Sequence, residues 1–153
     1  MTRRSLLATG ICGLVGVVSL PGPTGAYASN GRNLANEEVA RKYYAAWEKK
    51  DWGPFDKLLA NDFTFTSANN DNHIGKSVFK QRCWDTQIDF VGHFDLERIA
   101  TGLDDAFVKY ICHTKNGKSF RNVEYLRIKN GKLESIECYF GAQSSFASAV
   151  GNE

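Results

Sequence analysis

The sequence predicts an α+β domain in which N-terminal helices pack on a mainly antiparallel sheet. Apolar residues recur at helical spacing over residues 33–50, whereas from Val91 onward they alternate with a period of two. Two copies of Lys-Asn-Gly-Lys, at 115–118 and 129–132, separate the last three predicted strands. Asn-Gly is typical of hairpin turns, so the second half of the chain is expected to form an antiparallel meander.

A secretory leader is predicted over residues 1–28. Arg3 and Arg4 precede an uncharged apolar run at 6–20, and a small-x-small cleavage sequence ends at Ala28. The segment around the two arginines resembles a twin-arginine export signal. The apolar run is shorter than the roughly 20 residues of a membrane span. We therefore expect an exported protein, periplasmic or secreted, with no stable membrane insertion after cleavage.

Charge and cysteine content limit the expected partners. Residues 1–28 hold two of the 19 basic residues and none of the 17 acidic ones, which leaves 17 of each in the mature chain. No basic stripe is present, so nucleic acid is not an expected partner. The mature chain keeps Cys83, Cys112 and Cys138, which allows at most one intramolecular disulfide. Their spacing does not match a structural zinc site, and we expect neither a metal nor a cofactor.

The mature chain is expected to form one domain. A short linker at 29–33 precedes the domain at 34–141, and a small, polar, flexible tail follows at 142–153. The predicted helices cover 33–50, a short stretch at 55–59 after the break at Gly53-Pro54, and 76–86. The predicted strands cover 63–67, 93–103, 106–115, 118–129 and 132–140.

The turn type decides which side chains face the core, because a shift of one residue reverses every side chain of a strand. Two-residue turns would place Arg121 and Arg127 on the core face with Tyr110. Three-residue loops, with the glycine in the left-handed conformation, would place Asn122 and Glu124 there instead. Since burying two guanidinium groups costs more than burying one carboxyl and one amide, we favour the three-residue loops.

Two segments carry a resemblance to a known family. "FTFTSANNDNHIGKSVFKQRCW" and "GKSFRNVEYLRIKNGKLESIECYFG" resemble SnoaL-like and ketosteroid-isomerase-like proteins of the nuclear transport factor 2-like superfamily. The resemblance extends from about Leu34 to Gly141. It implies a cone-shaped fold whose N-terminal helices close a curved sheet, with an interior that often binds a small hydrophobic molecule.

The resemblance also implies site residues. Ketosteroid isomerases use a catalytic base at the end of the first strand, and a tyrosine and a protonated carboxyl as an oxyanion hole. These roles correspond here to Ser67, Tyr43 and Glu124. Because a serine cannot serve as the base near neutral pH, Asp71 and His73 are the candidates to replace it, with Asp71 orienting His73. Alternatively, these two residues only belong to a turn, since the Asn-rich segment before them has typical turn chemistry.

The remaining interior polar and apolar residues are candidate ligand contacts. If Glu124 is buried, desolvation raises its pKa and makes it a hydrogen-bond donor. Alternatively it reaches Lys109, Arg121 or another partner and is only a satisfied polar residue. The candidate ligand-binding residues are Trp47, Phe65, Ser67, Cys83, Tyr110, Asn122, Cys138 and Phe140. His93 and His113 are expected to face solvent.

These features favour a domain that binds a small apolar or carbonyl-containing molecule. As an enzyme it would catalyse cofactor-independent proton transfer, as an isomerase, cyclase or dehydratase does. The alternative is a non-catalytic ligand-binding or interaction module. In either case we expect a homodimer through the outer face of the sheet, which would carry Arg121, Val123, Tyr125, Arg127 and Tyr139.

Overall fold

Helices and six strands make up the part of the chain that the computed structural model describes, residues 24–141, with side chains from residue 30. In chain order these are α1 (Thr24–Lys49), α2 (Trp52–Leu58), β1 (Leu59–Ser67), β2 (Asp71–Gly75), α3 (Lys76–Phe79), a π-helical turn (Lys80–Trp84), α4 (Asp85–Gln87), β3 (Val91–Thr101), β4 (Asp105–Thr114), β5 (Ser119–Lys129) and β6 (Lys132–Phe140). Most of the predicted leader and the whole predicted tail at 142–153 lie outside the described residues. None of the described helices has the length and apolar character needed to cross a membrane.

The first helix is longer than the sequence pattern predicts. It begins at Thr24 and passes through the segment 29–33 that was expected to be a linker. Glu37 and Glu38 therefore do not lie in its first turn. They form ion pairs one turn onward instead, with Arg41 and Lys42, both at 2.7 Å, as is typical of acidic and basic residues four positions apart.

The break between α1 and α2 lies earlier than Gly53-Pro54. Lys50 has a left-handed φ of 57°, which ends α1. Asp51 caps α2, because its Oδ1 accepts a hydrogen bond of 3.0 Å from the Gly53 backbone N–H. The proline therefore lies inside the first turn of α2, where a missing N–H has no cost.

The six strands form one curved, unclosed sheet in the order β2-β1-β6-β5-β4-β3. Strands β1 and β6 run parallel and all other neighbours run antiparallel, so the predicted fold class is confirmed. Strand β2 was not predicted. Its five residues follow β1 after a turn of only three residues, and their polar composition hides the strand pattern.

The β4–β5 connection is the predicted three-residue loop. Gly117 has a φ of +81°, and cross-strand pairing of Val108 with Glu124 and Tyr110 with Asn122 places all four residues on the inner face. The predicted burial of the carboxyl and the amide is therefore confirmed.

The β5–β6 connection differs from the prediction. Lys129 pairs with Lys132, so Asn130-Gly131 is a two-residue turn with both residues at positive φ, as a type I′ turn requires. A bulge between Arg127 and Ile128 shifts the register and restores the predicted face. Leu126 consequently pairs with Ile136 inside the core.

An aromatic cluster holds the helices against the sheet. The indoles of Trp47 and Trp84 lie 4.5 Å apart, and Phe55 lies 4.5 Å from Trp84 between ring centroids. The middle of α1 is held by Asn36, whose buried amide donates hydrogen bonds to the carbonyls of Gly102 and Leu103 at 3.0 and 3.1 Å. Held at its middle and near its C-terminal end, α1 covers one side of the inner sheet face and forms one wall of a cavity.

Candidate functional site

A cavity of about 70 Å³ lies between α1, the segment 76–87 and the inner face of the sheet. It is lined by eleven of the twelve predicted site residues: Tyr43, Trp47, Phe65, Ser67, Asp71, Cys83, Tyr110, Asn122, Glu124, Cys138 and Phe140. A wider depression of about 390 Å³ adjoins it and shares Asn69, Gln87, Phe120, Asn122 and Phe140 with its lining. The interior is therefore a narrow, partly polar chamber with a wide entrance.

Glu124 is the buried carboxyl of this chamber. Its Oε2 accepts a hydrogen bond of 2.7 Å from the Tyr44 hydroxyl, and its Oε1 accepts one of 3.2 Å from the Tyr110 hydroxyl. Its partners are therefore tyrosine hydroxyls and not the cations Lys109 and Arg121. Lys109 and Arg121 project from the opposite face, where both approach Glu97, at 2.9 and 4.0 Å.

Burial controls the protonation of this cluster. Desolvation raises the pKa of Glu124 above its ordinary value, and the hydrogen bonds from the tyrosine hydroxyls only partly offset that rise. The same burial, followed by the Glu124 charge, raises the pKa values of Tyr44 and Tyr110 well above 10. The Glu124 carboxyl therefore keeps its proton to a higher pH than an exposed glutamate does, and it lies beside two protonated tyrosine hydroxyls; such O–H groups can stabilise an oxyanion.

Asn122 extends this network toward the cavity. Its Nδ2 donates to the Tyr110 hydroxyl at 3.2 Å and to Cys138 Sγ at 3.6 Å. Its Oδ1 is buried, and no donor among the described residues reaches it. Because a buried acceptor without a partner costs about 1–3 kcal/mol, this oxygen is suited to accept a hydrogen bond from a bound molecule.

Asp71 is the second buried carboxyl of the cavity, with 5 % of its surface exposed. Its Oδ2 accepts a hydrogen bond of 2.8 Å from Ser67 Oγ. Its Oδ1 lies 2.9 Å from Arg82 Nη2, an ion pair without hydrogen-bond alignment, since this oxygen accepts no hydrogen bond from the described residues. One carboxylate oxygen thus accepts no hydrogen bond from the described residues, and the carboxyl lies beside Ser67, the position to which the sequence resemblance assigns a base.

His73 is the one predicted site residue that lies outside the cavity. The register of β1 and β2 shifts between Phe65 and Ser67, and His73 has a left-handed φ of 52°. This bulge turns its side chain to solvent, where Nδ1 lies 2.6 Å from Asn72 Oδ1. The prediction that Asp71 orients His73 is therefore wrong, and the partners of Asp71 are Ser67 and Arg82.

The strongest hydroxyl contact to Glu124 comes from Tyr44 rather than from the predicted Tyr43. Tyr43 also lines the cavity, but among the four groups that lower the pKa of Glu124 by hydrogen bonding, Tyr44 contributes most and Tyr43 least. Helical spacing does not decide between them, because Ala40, Tyr44 and Trp47 recur at that spacing just as Val39, Tyr43 and Ala46 do. The resemblance alone does not decide between two adjacent tyrosines.

Other lining residues were not predicted: Asn69, Phe79, Gln87, Val91, Phe94, Cys112 and Phe120. Val91 and Phe94 are three residues apart, so a strict period of two would place them on opposite faces of β3. The register shift between Val91 and His93 brings both to the cavity, and the sequence pattern does not predict that shift. Cys83 projects into the cavity from the π-helical turn, a local geometry that the sequence pattern does not reveal.

The three described cysteines are free and buried, so the disulfide that the sequence allowed is not formed. Burial raises the pKa of Cys83 and of Cys112 to about 12, and for Cys83 the neighbouring Asp71 and Glu124 charges add to the effect. These thiols are therefore protonated packing residues rather than nucleophiles.

Comparison with known proteins gives the family. The family model described as SnoaL-like domain matches residues 40–136. No curated protein matches the sequence.

Solved structures share the fold at low sequence identity. An NTF2-like protein from Anabaena variabilis ATCC 29413 is 18% identical, with a TM-score of 0.62 over 75% of this chain and 92% of that one. A protein with a ketosteroid isomerase-like fold from Catenulispora acidiphila DSM 44928, solved in complex with trimethylamine, is 15% identical, with a TM-score of 0.58 over 70% and 88%. With the curved sheet and the helix-covered cavity, the match shows that the chain belongs to the SnoaL-like domain family.

Proposed function

We propose that this domain binds a small, largely apolar molecule that carries a carbonyl group, and that it catalyses proton transfer at the carbon next to that carbonyl. The observation that carries the proposal is the presence of two buried oxygens on the lining of one cavity that accept no hydrogen bond from the described residues: Asp71 Oδ1, which is ion-paired with Arg82, and Asn122 Oδ1. The Glu124 cluster supplies O–H groups in the same space.

The cavity dimensions support a particular class of ligand. A chamber of about 70 Å³ has room for only a few heavy atoms, whereas the adjoining depression is several times larger. A molecule with a narrow carbonyl end and a broader apolar body fits this shape. Its carbonyl oxygen would lie against Glu124 and Tyr44, and its body against Phe120 and Phe140 at the entrance.

The proposed reaction needs one base and one oxyanion site. Asp71 Oδ1 removes a proton from the carbon beside the carbonyl, and the electron pair of the broken C–H bond moves onto the carbonyl oxygen. The protonated Glu124 cluster stabilises the resulting enolate oxygen by hydrogen bonding. The proton on Asp71 then exchanges with solvent water and a solvent proton returns to the same carbon, which completes an exchange, or the proton passes to a conjugated carbon, which completes an isomerisation; neither needs a cofactor.

Hydrogen–deuterium exchange into a small ketone tests this reaction. We would incubate 2-tetralone with the protein in D₂O and follow loss of its α-proton signals by NMR. We expect exchange above the buffer rate for the wild type and for His73→Ala, and none above buffer for Asp71→Asn. Wild-type exchange no faster than that of Asp71→Asn would overturn the catalytic proposal. Saturable binding of the ketone without exchange would leave the domain as a non-catalytic binding module.

We also propose that the protein is exported and that it forms a homodimer through the outer sheet face. Phe107 and Tyr139 are 49 % and 54 % exposed on this face, and Tyr125 lies 4.8 Å from Phe107 between ring centroids. Exposed aromatic side chains favour an interface. Sedimentation should give a dimer for the wild type and a monomer for Phe107→Lys. A wild-type monomer at high concentration would contradict the dimer.

A further inference from the structure

A pair of stacked histidines shares one carboxylate on the outer face of the sheet, away from the cavity. His93 and His113 are directly opposite each other on β3 and β4, with ring centroids 4.4 Å apart and planes inclined by 10°. Asp95 lies two residues after His93, on the same face of β3. Its Oδ2 is 2.8 Å from His113 Nε2, and its Oδ1 is 3.7 Å from His93 Nε2.

The backbone at this place is adapted to the close pairing. The register of β3 and β4 shifts between Val91 and His93, and the intervening residue is Gly92. A Cβ atom at Gly92 would lie 2.5 Å from the carbonyl oxygen of His113, closer than real Cβ contacts allow. Glycine is therefore required for the strands to approach here, and this approach fixes the separation of the two imidazoles.

A simple ion pair accounts for only part of the arrangement. The contact between His113 and Asp95 has hydrogen-bond length, but His93 is too far from the carboxylate for one. All three side chains are at least one-third exposed and can therefore rotate. What the fold provides is two imidazole nitrogens and one carboxylate oxygen that all lie within 4.8 Å of one another.

We propose that His93, Asp95 and His113 form a binding site for a divalent transition-metal ion, for which Zn²⁺ is the appropriate probe. Zinc binds imidazole nitrogen at about 2.0–2.1 Å, so tetrahedral ligand atoms are separated by about 3.3 Å. The three ligand atoms now lie within 4.8 Å of one another, and rotation of the exposed side chains would bring them to the separation of about 3.3 Å that zinc requires. Two nitrogen donors favour zinc or copper over Mg²⁺ and Ca²⁺, which prefer oxygen.

The ion would join the start of β3 to the end of β4. Binding to the folded chain alone stabilises it by mass action, so the ion would raise the melting temperature. Phe94, between the two β3 ligands, faces the opposite way and lines the cavity. The metal site therefore adjoins the cavity through the thickness of one strand, but it contributes no group to the proposed proton transfer.

Calorimetric titration with ZnCl₂ tests the proposal, on protein without a polyhistidine tag. We expect one ion per chain, affinity reduced at least about tenfold in His93→Ala, His113→Ala and Asp95→Asn, and no binding of Mg²⁺. The matched controls are His73→Ala and Asp62→Asn, which remove an exposed imidazole and an exposed carboxylate elsewhere and should leave the affinity unchanged. Thermal unfolding with and without Zn²⁺ should show a rise of several degrees only in the wild type and the controls.

Imidazole ¹⁵N spectra of the wild type give a readout that does not depend on any variant. Zinc should shift the ring nitrogens of His93 and His113 and leave those of His73 unchanged. Absence of saturable binding, an affinity that the His93 and His113 variants leave unchanged, or equal shifts of all three histidines would overturn the proposal.

Discussion

The Tyr44 hydroxyl donates a hydrogen bond of 2.7 Å to Glu124 Oε2, and this contact joins α1 to β5 across 80 positions of the sequence. Both side chains are almost fully buried, with exposed fractions of 2 % and 5 %. The contact therefore does two things. It fixes the helix that covers the cavity, and it supplies a donor to a carboxyl whose pKa is raised by burial.

Removing this donor should destabilise the fold. Tyr44→Phe leaves Glu124 Oε2 without its closest partner, so we expect a loss of about 1–3 kcal/mol in the free energy of unfolding. Tyr43→Phe is the matched control, because Tyr43 has the weakest hydrogen-bond effect on Glu124. Urea unfolding of both variants measures the difference. Equal losses of unfolding free energy in the two variants would show that the hydrogen bond from Tyr44 to Glu124 adds nothing to stability.

Glu124 should make stability fall as pH rises. Its pKa is about 4.5 when unfolded and higher when folded, so between these values the folded chain holds a proton that the unfolded chain has released. The stabilisation by this proton is fully present below about pH 4.5 and is lost as pH rises through the folded pKa.

The Glu124→Gln variant cannot lose this proton. The stability of the wild type relative to the variant should therefore decrease with rising pH and become constant above the folded pKa. Urea midpoints of both proteins, measured from about pH 4 to pH 8, give this difference. A difference that increases with pH would mean that folding lowers the pKa of Glu124 instead of raising it.

The buried thiols should resist alkylation. Because the pKa values of Cys83 and Cys112 are about 12, against 9 when exposed, their thiolate fractions at about pH 8 should be lower by about a thousandfold. Iodoacetamide labelling with peptide mapping should show both to be protected in native protein and rapidly modified in guanidinium. Rapid native labelling of Cys83 would indicate an activated thiol in the cavity.

His73 should be replaceable by glycine without loss of stability. Its left-handed φ of 52° strains any side chain with a Cβ atom, and the imidazole is exposed. His73→Gly should therefore be neutral or stabilising by about 0.5–1 kcal/mol, whereas His73→Ala retains the strain. Thermal unfolding of the two variants decides this. A clear fall in melting temperature in His73→Gly would show that the imidazole makes a stabilising contact.

Much of the fold follows from the sequence because its patterns are local. Period-two alternation and the first Asn-Gly loop predict that Asn122 and Glu124 are buried, and the structure confirms it. The second Asn-Gly turn escaped prediction because a bulge at Arg127 compensates for its different length. The shorter turn and the bulge each shift the register by one residue. The side chains of β6 therefore lie on the predicted face although the turn type is wrong.

The site is harder to predict because it depends on single-residue shifts. A bulge turns the side chain of His73 to the solvent face, and no feature of the β2 sequence predicts this bulge. Asp71 precedes the bulge and pairs with Ser67, so its side chain stays on the inner face. Helical spacing likewise allows both Tyr43 and Tyr44 to face inward. Only the position of Glu124 in the folded chain shows that the Tyr44 hydroxyl is its closest hydrogen-bond donor.

Binding of 2-naphthol, followed in ¹H–¹⁵N spectra, tests most directly the claim that the cavity is a site for an oxygen-bearing apolar molecule. Its hydroxyl resembles an enolate oxygen and its rings fit the wide entrance. We predict saturable shifts centred on Asn122, Glu124 and Cys83, and an affinity reduced about tenfold in Tyr44→Phe. No saturable shift, or shifts confined to the outer face around Phe107, would contradict the account.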